Sequence, residues 1–226
     1  MAKPLMPALD AEQFAFPLNG GLNLRGYRGE VSEGTPLVLL HSINAAPSAM
    51  EMRPLFEHYR DRRPVLAPDL PGFGLSDRPD IPYSSNMYAR WLAEWLGSLD
   101  APADVVALSL TGEFMARAIL EQGLEVRSLS LISPTGVGLR TPPVAPNGSR
   151  IDRFLTSSWV GRPLFNMLTS KLSIRWFLGQ AFVGATPEHL LRYAKETTRH
   201  PGAHHAPLKF LTFSLFTEQA LSRLYS

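Results

Sequence analysis

The 226-residue chain is 45% hydrophobic and 19% charged, which excludes a disordered or fibrous protein and leaves a globular one with a sizeable core. Its 22 Lys and Arg against 20 Asp and Glu give a formal net charge of +2, with no aromatic-interleaved basic stripe, and this argues against nucleic acid as a partner. The absence of cysteine excludes disulfides and thiolate metal sites.

Phe14 to Leu18 and Leu22 to Tyr27 flank Asn19-Gly20-Gly21, residues that tolerate positive φ, so the chain opens as an antiparallel hairpin. Pro36 to Leu40 is a short continuous apolar run ending at His41-Ser42, the pattern of a strand buried on both faces. Met50, Leu55, Phe56 and Tyr59 then recur at helical spacing before a second strand, Pro64 to Ala67, that ends at Asp69. After the loop from Asp69 to Ser76, the residues Met87, Trp91 and Trp95 with Leu92, Leu96 and Leu99 form one apolar helical stripe, read as core. Val105 to Leu108 is a third buried strand, Met115 to Leu120 lies on a helix, and Leu129 to Ile132 is a fourth strand. This alternation predicts an α/β fold: a mostly parallel sheet with helices on both faces. From about Gly138 the strand pattern stops. Residues 141–148 read as an irregular connection, and an aromatic-rich helical layer follows, in which Thr186-Pro187 marks a helix start.

The segment Val105 to Gly112 carries the chemistry, because it runs a buried strand into Ser109 and then into a helix. The G-x-S-x-G elbow needs small residues two before and two after its serine, where the backbone turns tightly. Ala107 and Thr111 occupy those positions. β-branched Thr111 is the larger departure, with Gly112 just behind it. The alternative is that Ser109 only N-caps the helix.

With His41-Ser42-Ile43 ending one strand and Asp69-Leu70-Pro71-Gly72-Phe73-Gly74-Leu75-Ser76 ending the next, the chain resembles the α/β-hydrolase superfamily in its capped, serine-nucleophile branch. The resemblance runs from about Phe14 to the end. It implies an α/β-hydrolase core over residues 1–137 and a helical cap over 138–226, with Ser109 as nucleophile. It also implies an oxyanion hole formed by the backbone N–H groups of Leu110 and, after the first buried strand, Ile43. Leu110 would open a helix whose unpaired N–H groups and positive dipole end face the serine. His41 reads as structural rather than catalytic, Asp69 as the residue that orders its loop, and Ser76 or Asp77 as caps of a following turn.

A serine needs a histidine to accept its proton and a carboxylate to orient that histidine. The family order is nucleophile, acid, histidine, and no acid stands in Ser133-Pro134-Thr135-Gly136. His189, His200, His204 and His205 all fall in the expected cap, and Pro201-Gly202 disfavours a metal-binding helix there. The chain is therefore expected to be C-terminally truncated, to lack the last strands of the sheet, and to be inactive by itself. The intact protein is expected to hydrolyse a small apolar ester, thioester or related carbonyl compound through an acyl-enzyme. The alternative is a non-catalytic hydrolase-fold protein that binds a ligand or a partner. Serine at the elbow argues against the branches that use a carboxylate nucleophile. No cofactor, metal, nucleic acid or membrane span is implied. The N-terminus lacks the apolar stretch of a signal peptide, so a cytoplasmic location is expected.

Overall fold

The computed structural model of the chain describes residues 4–138, 144, 148–157 and 159–225. Strands β1 (Glu12–Leu18) and β2 (Leu22–Arg28) pair antiparallel across the expected turn, where Gly20 and Gly21 take φ values of 95° and 80°. L side chains rarely adopt such angles, which is why glycine stands at both positions. The four residues of β3 (Leu37–Leu40) are all buried, because the strand is paired on both edges and covered on both faces. Its neighbours are β4 (Val65–Asp69) and β5 (Asp104–Leu108), both parallel to it. Val38 and Leu40 join one core cluster and Leu37 and Leu39 the other, so an apolar side chain is needed at every position.

Helix α1 (Arg53–Tyr59) and the 3-10 turn before it, Ala49–Met52, cover one face through Met50, Met52 and Phe56. Helices α2 (Ser85–Leu96) and α3 (Thr111–Gln122) pack together on the other. The tryptophan stripe is core, as its spacing predicts: Trp91 and Trp95 are buried, and the Trp95 ring stacks on Phe14 with centroids 5.8 Å apart. Burying one such aromatic side chain contributes about 4–6 kcal/mol before chain entropy is counted. The serine before α2, Ser84, accepts the Met87 N–H and so fixes where the helix begins.

The six-stranded sheet runs β1-β2-β4-β3-β5-β6, with β6 (Ser128–Ile132) parallel to β5 at the edge. From β3 the chain moves outward to β4, then crosses back over β3 to reach β5. The carboxyl ends of β3 and β5 therefore flank the point where strand order reverses, the place in an open α/β sheet where a crevice forms.

After β6, the described residues form α4 (Arg150–Leu155), α5 (Gly161–Leu168), α6 (Lys171–Gly179), α7 (Glu188–Thr197), α8 (His205–Leu211) and α9 (Ala220–Leu224). The expected start at Thr186-Pro187 is one residue early. Pro187 has ψ of 127°, so α7 begins at Glu188 and Thr186 does not cap it. The irregular connection expected over 141–148 lies largely outside the described residues. A buried ion pair joins α4 to α8, with Lys209 Nζ 2.6 Å from Asp152 Oδ2. Leu190 and Tyr193 of α7 pack with the 3-10 turn cluster, while Ala206, Leu215 and Phe216 join the α2–α3 side. The helical segment is thereby seated on the loops at the carboxyl ends of the strands.

Candidate active site

Ser109 follows β5 directly and has φ of 60°, the left-handed region that a residue with a side chain enters at a cost of about 1–3 kcal/mol. Two tethers hold it there. Its own N–H donates to the Ile132 carbonyl of β6 at 2.9 Å, and the hydroxyl of Thr111 donates to the His41 carbonyl at 2.6 Å. The departure from the elbow pattern at Thr111 is thus a bond between the first turn of α3 and the end of β3. Close packing falls on the next residue: a Cβ on Gly112 would lie 3.0 Å from Leu131 Cδ2. Ser109 does not cap α3, since the N-cap position is Leu110 and no side-chain cap is made there.

Leu110 is fully buried and Ile43 is 2% exposed. Neither backbone N–H donates a hydrogen bond among the described residues, an uncommon state for buried amides. These two residues lie on the loops that leave β5 and β3, the adjacent parallel strands at the reversal point.

The loop carrying Ile43 is braced by a residue that sequence patterns do not single out, Glu51. Its carboxylate accepts the Ser42 N–H at 2.8 Å, the Ser42 hydroxyl at 3.1 Å and the Asn44 side-chain amide at 2.9 Å. The Ser42 backbone and side chain are both engaged on that carboxylate. His41 is buried with both ring nitrogens satisfied: Nε2 accepts the Leu70 N–H at 2.9 Å, so Nδ1 carries the proton and donates to the Ser42 carbonyl at 2.6 Å. This is the structural role its sequence position suggests.

Asp69 is fully buried and accepts the Ala49 N–H at 2.7 Å and the Leu75 N–H at 2.8 Å, one on each oxygen. Burial raises its carboxyl above the ordinary range, against the opposing pull of the two amides. Gly74 has φ of 48°, and a Cβ there would fall within 2.2 Å of the Asp69 carboxylate, so the loop closes over the acid only as glycine. Ser76 and Asp77 do not cap a following turn. The Ser76 hydroxyl donates to the Asp69 carbonyl and accepts the Arg25 N–H at 2.7 Å, and Asp77 accepts the Asn23 N–H at 2.8 Å. Both therefore fasten the loop to β2, which borders β4 in the sheet.

A second buried carboxylate lies four residues beyond Ser109 on α3. Glu113 accepts the Thr135 hydroxyl and the Thr217 N–H, the latter at 2.8 Å, and so ties the loop after β6 to the segment before α9. Burial raises its pKa, and the Thr135 and Thr217 donors oppose the rise.

Of the histidines after Ser109, His189 is exposed on α7 and the other three lie in the segment from the turn after α7 to the start of α8. His205 Nδ1 lies 3.2 Å from Asp80, its ring is 4.1 Å from that of His204, and His200 lines a groove beside α7. Burial lowers the pKa of both His200 and His204. Among the described residues, no side chain hydrogen-bonds Ser109 Oγ, and no group of His, Asp and Glu is arranged to hold a metal ion. No helix of the described residues is long and apolar enough to cross a membrane.

The sequence model of the alpha/beta hydrolase family matches residues 37–225. The 2-hydroxymuconate semialdehyde hydrolase of Pseudomonas putida is 36% identical over 121 residues, covering 50% of this chain and 42% of that protein. The 1-acylglycerol-3-phosphate O-acyltransferase ABHD5 of Mus musculus is 33% identical over 111 residues, covering 47% of this chain and 31% of that protein. The matched stretches thus span under half the length of these relatives. Haloalkane dehalogenase DbeA of Bradyrhizobium elkani superposes with a TM-score of 0.70 over 96% of this chain and 76% of that one. At 17% identity it speaks to the fold alone. A family model that runs from β3 to the end of α9 agrees with the strand order and the sharp turn at Ser109: the chain belongs to the alpha/beta hydrolase family.

Proposed function

We propose that this chain carries the nucleophile half of a serine-dependent hydrolase, with residues 1–137 as the hydrolase core and 138–226 as its cap. The observation that carries the reading is the left-handed backbone of Ser109 at the strand-order reversal, beside two buried N–H groups with no partner among the described residues. Ser109 Oγ attacks a carbonyl carbon, the N–H groups of Leu110 and Ile43 take the developing oxyanion, and collapse of the intermediate breaks the bond to the alcohol or thiol, which departs with the proton taken from Ser109 and leaves an acyl-enzyme that water hydrolyses to the acid. Loss of one such donor costs about 100- to 1000-fold in rate. The Ser109 proton has to pass to a base, and we assign none of the described residues to that role.

The substrate class proposed is a small apolar ester, thioester or related carbonyl compound. Ile43, Leu70, Phe73, Leu110, Leu215 and Phe216 belong to one apolar cluster bordering the site. The relatives, a semialdehyde hydrolase and an O-acyltransferase, bear names that fit carbonyl and acyl chemistry. A second reading, a ligand-binding protein on the same fold, is favoured by the lack of any side chain on Ser109 Oγ among the described residues.

Fluorophosphonate labelling of the protein purified from its native host, followed by peptide mapping, separates the two. A phosphonylated peptide containing Ser109, absent in Ser109→Ala, supports the hydrolase. A folded, unlabelled protein in a preparation whose other serine hydrolases react would overturn it and leave the binding protein.

A further inference from the structure

Between α6 and α7 lies a groove of about 650 Å³, lined by these two helices and the turn after α7. None of its lining residues comes from the loops after β3, β4 or β5, so it is separate from the Ser109 site. Five Lys and Arg side chains line it against two carboxylates, Glu188 and Glu196. Arg175 is paired with Glu188 at 2.8 Å, and Lys195 Nζ donates to the Thr169 carbonyl at 2.5 Å. The side chains of Lys171, Arg192 and Arg199 have no hydrogen-bond or ion-pair partner among the described residues, and neither has the Glu196 carboxylate, which leaves three cations against one anion. Like charges held around one groove repel each other. Burial and then the neighbouring Arg199 push the Lys195 ammonium below its ordinary pKa. An anion in the groove would relieve this repulsion.

We propose that the α6–α7 groove binds a small molecule through a phosphate group, held by Lys171, Arg192 and Arg199. A single carboxylate offsets one charge and offers two acceptor oxygens. A phosphate carries about −1.5 to −2 and three acceptors, which suits three uncommitted cations and the planar fork of arginine. The volume falls within the range of about 300–1,000 Å³ typical of small-molecule sites. The same headgroup chemistry occurs on soluble phosphate esters and on anionic phospholipids.

The test is isothermal titration of the 226-residue chain with inorganic pyrophosphate at low ionic strength, beside co-sedimentation with phosphatidylcholine vesicles containing phosphatidic acid. Saturable binding is expected, weakened about tenfold in Arg192→Gln and in Arg199→Gln, with Arg90→Gln on α2 unchanged. Arg192, Arg199 and Arg90 are all exposed, and circular dichroism establishes that each variant is folded. Vesicle binding lost in the same groove variants identifies a lipid headgroup as the source. Pyrophosphate binding without vesicle binding identifies a soluble phosphate ester. No saturable binding, unchanged affinity in both groove variants, or an equal loss in Arg90→Gln overturns the proposal.

Discussion

Thr111→Val removes one hydroxyl and keeps the shape of the side chain. Thr111 is fully buried, and its Oγ1 donates to the His41 carbonyl at 2.6 Å. The variant strips that carbonyl of this donor and sets a methyl group against the oxygen, which costs about 1–3 kcal/mol. Thr111→Ser keeps the donor and gives up one buried methyl, worth about 0.8 kcal/mol. Valine is therefore expected to cost more than serine, the reverse of the order that apolar burial alone would give. Urea unfolding followed by tryptophan fluorescence reads both variants, with the slope m held as the check that the unfolded state is unchanged. A valine variant within about 0.5 kcal/mol of the parent, or a serine variant less stable than the valine one, would refute the bond as the reason for threonine here.

Gly74→Ala forces a Cβ into the Asp69 carboxylate at a backbone angle that disfavours it, and should lose more than about 3 kcal/mol in the same titration. Lys209→Met leaves Asp152 buried without its cation and should cost about 3–5 kcal/mol, because the two side chains are only 11% and 1% exposed. Burial raises the Asp152 carboxyl, but the Lys209 ammonium, the Gly148 N–H and the Thr212 hydroxyl outweigh it and hold the group below its ordinary 3.8. Its stabilising contribution is thus complete above that value and lost as pH falls through the lower folded value, a loss that Asp152→Asn should abolish in acid unfolding curves. For Glu113 the sign is opposite. Burial raises its pKa above 4.5, so unfolding free energy should fall as pH rises from there through the folded value, and Glu113→Gln should flatten that slope.

Periodicity and close approach leave strong marks in a sequence, and the strands, the tryptophan stripe and the Asp69 loop were readable for that reason. Four consecutive apolar residues at Leu37–Leu40, too short a run for a helix of ordinary length, fit a strand with core on both faces. The glycines of the Asp69 loop stand where no Cβ fits. Glu51 leaves no such mark, because its partners Ser42 and Asn44 are set by the path of a loop rather than by a repeat. Thr111 reads in the sequence as a steric burden on the turn. Its value lies in a hydroxyl directed at a residue 70 positions away, and the small residue that strand-helix packing requires has moved to Gly112. Glu113 escapes pattern reading in the same way, since Thr135 and Thr217 reach it from two distant segments.

The two tethers on the elbow come from the sheet. Ile132 of β6 holds the Ser109 N–H on one side, and the end of β3 holds Thr111 on the other. Neither bond involves α4 to α9. The backbone angle at Ser109 is thus fixed by the pairing of β5 with β3 and β6, and the two uncommitted N–H groups are placed by the loops those strands launch. The helical segment is joined to this frame at other points, through Leu190 and Tyr193 against the 3-10 turn and through Thr217 on Glu113. Changes confined to α5 or α6, which take no part in either tether, should then leave the strain at Ser109 unaltered. In the proposed chemistry, the preparation of the nucleophile thus resides in the sheet, while the apolar cluster beside it draws on both the sheet loops and the helical segment.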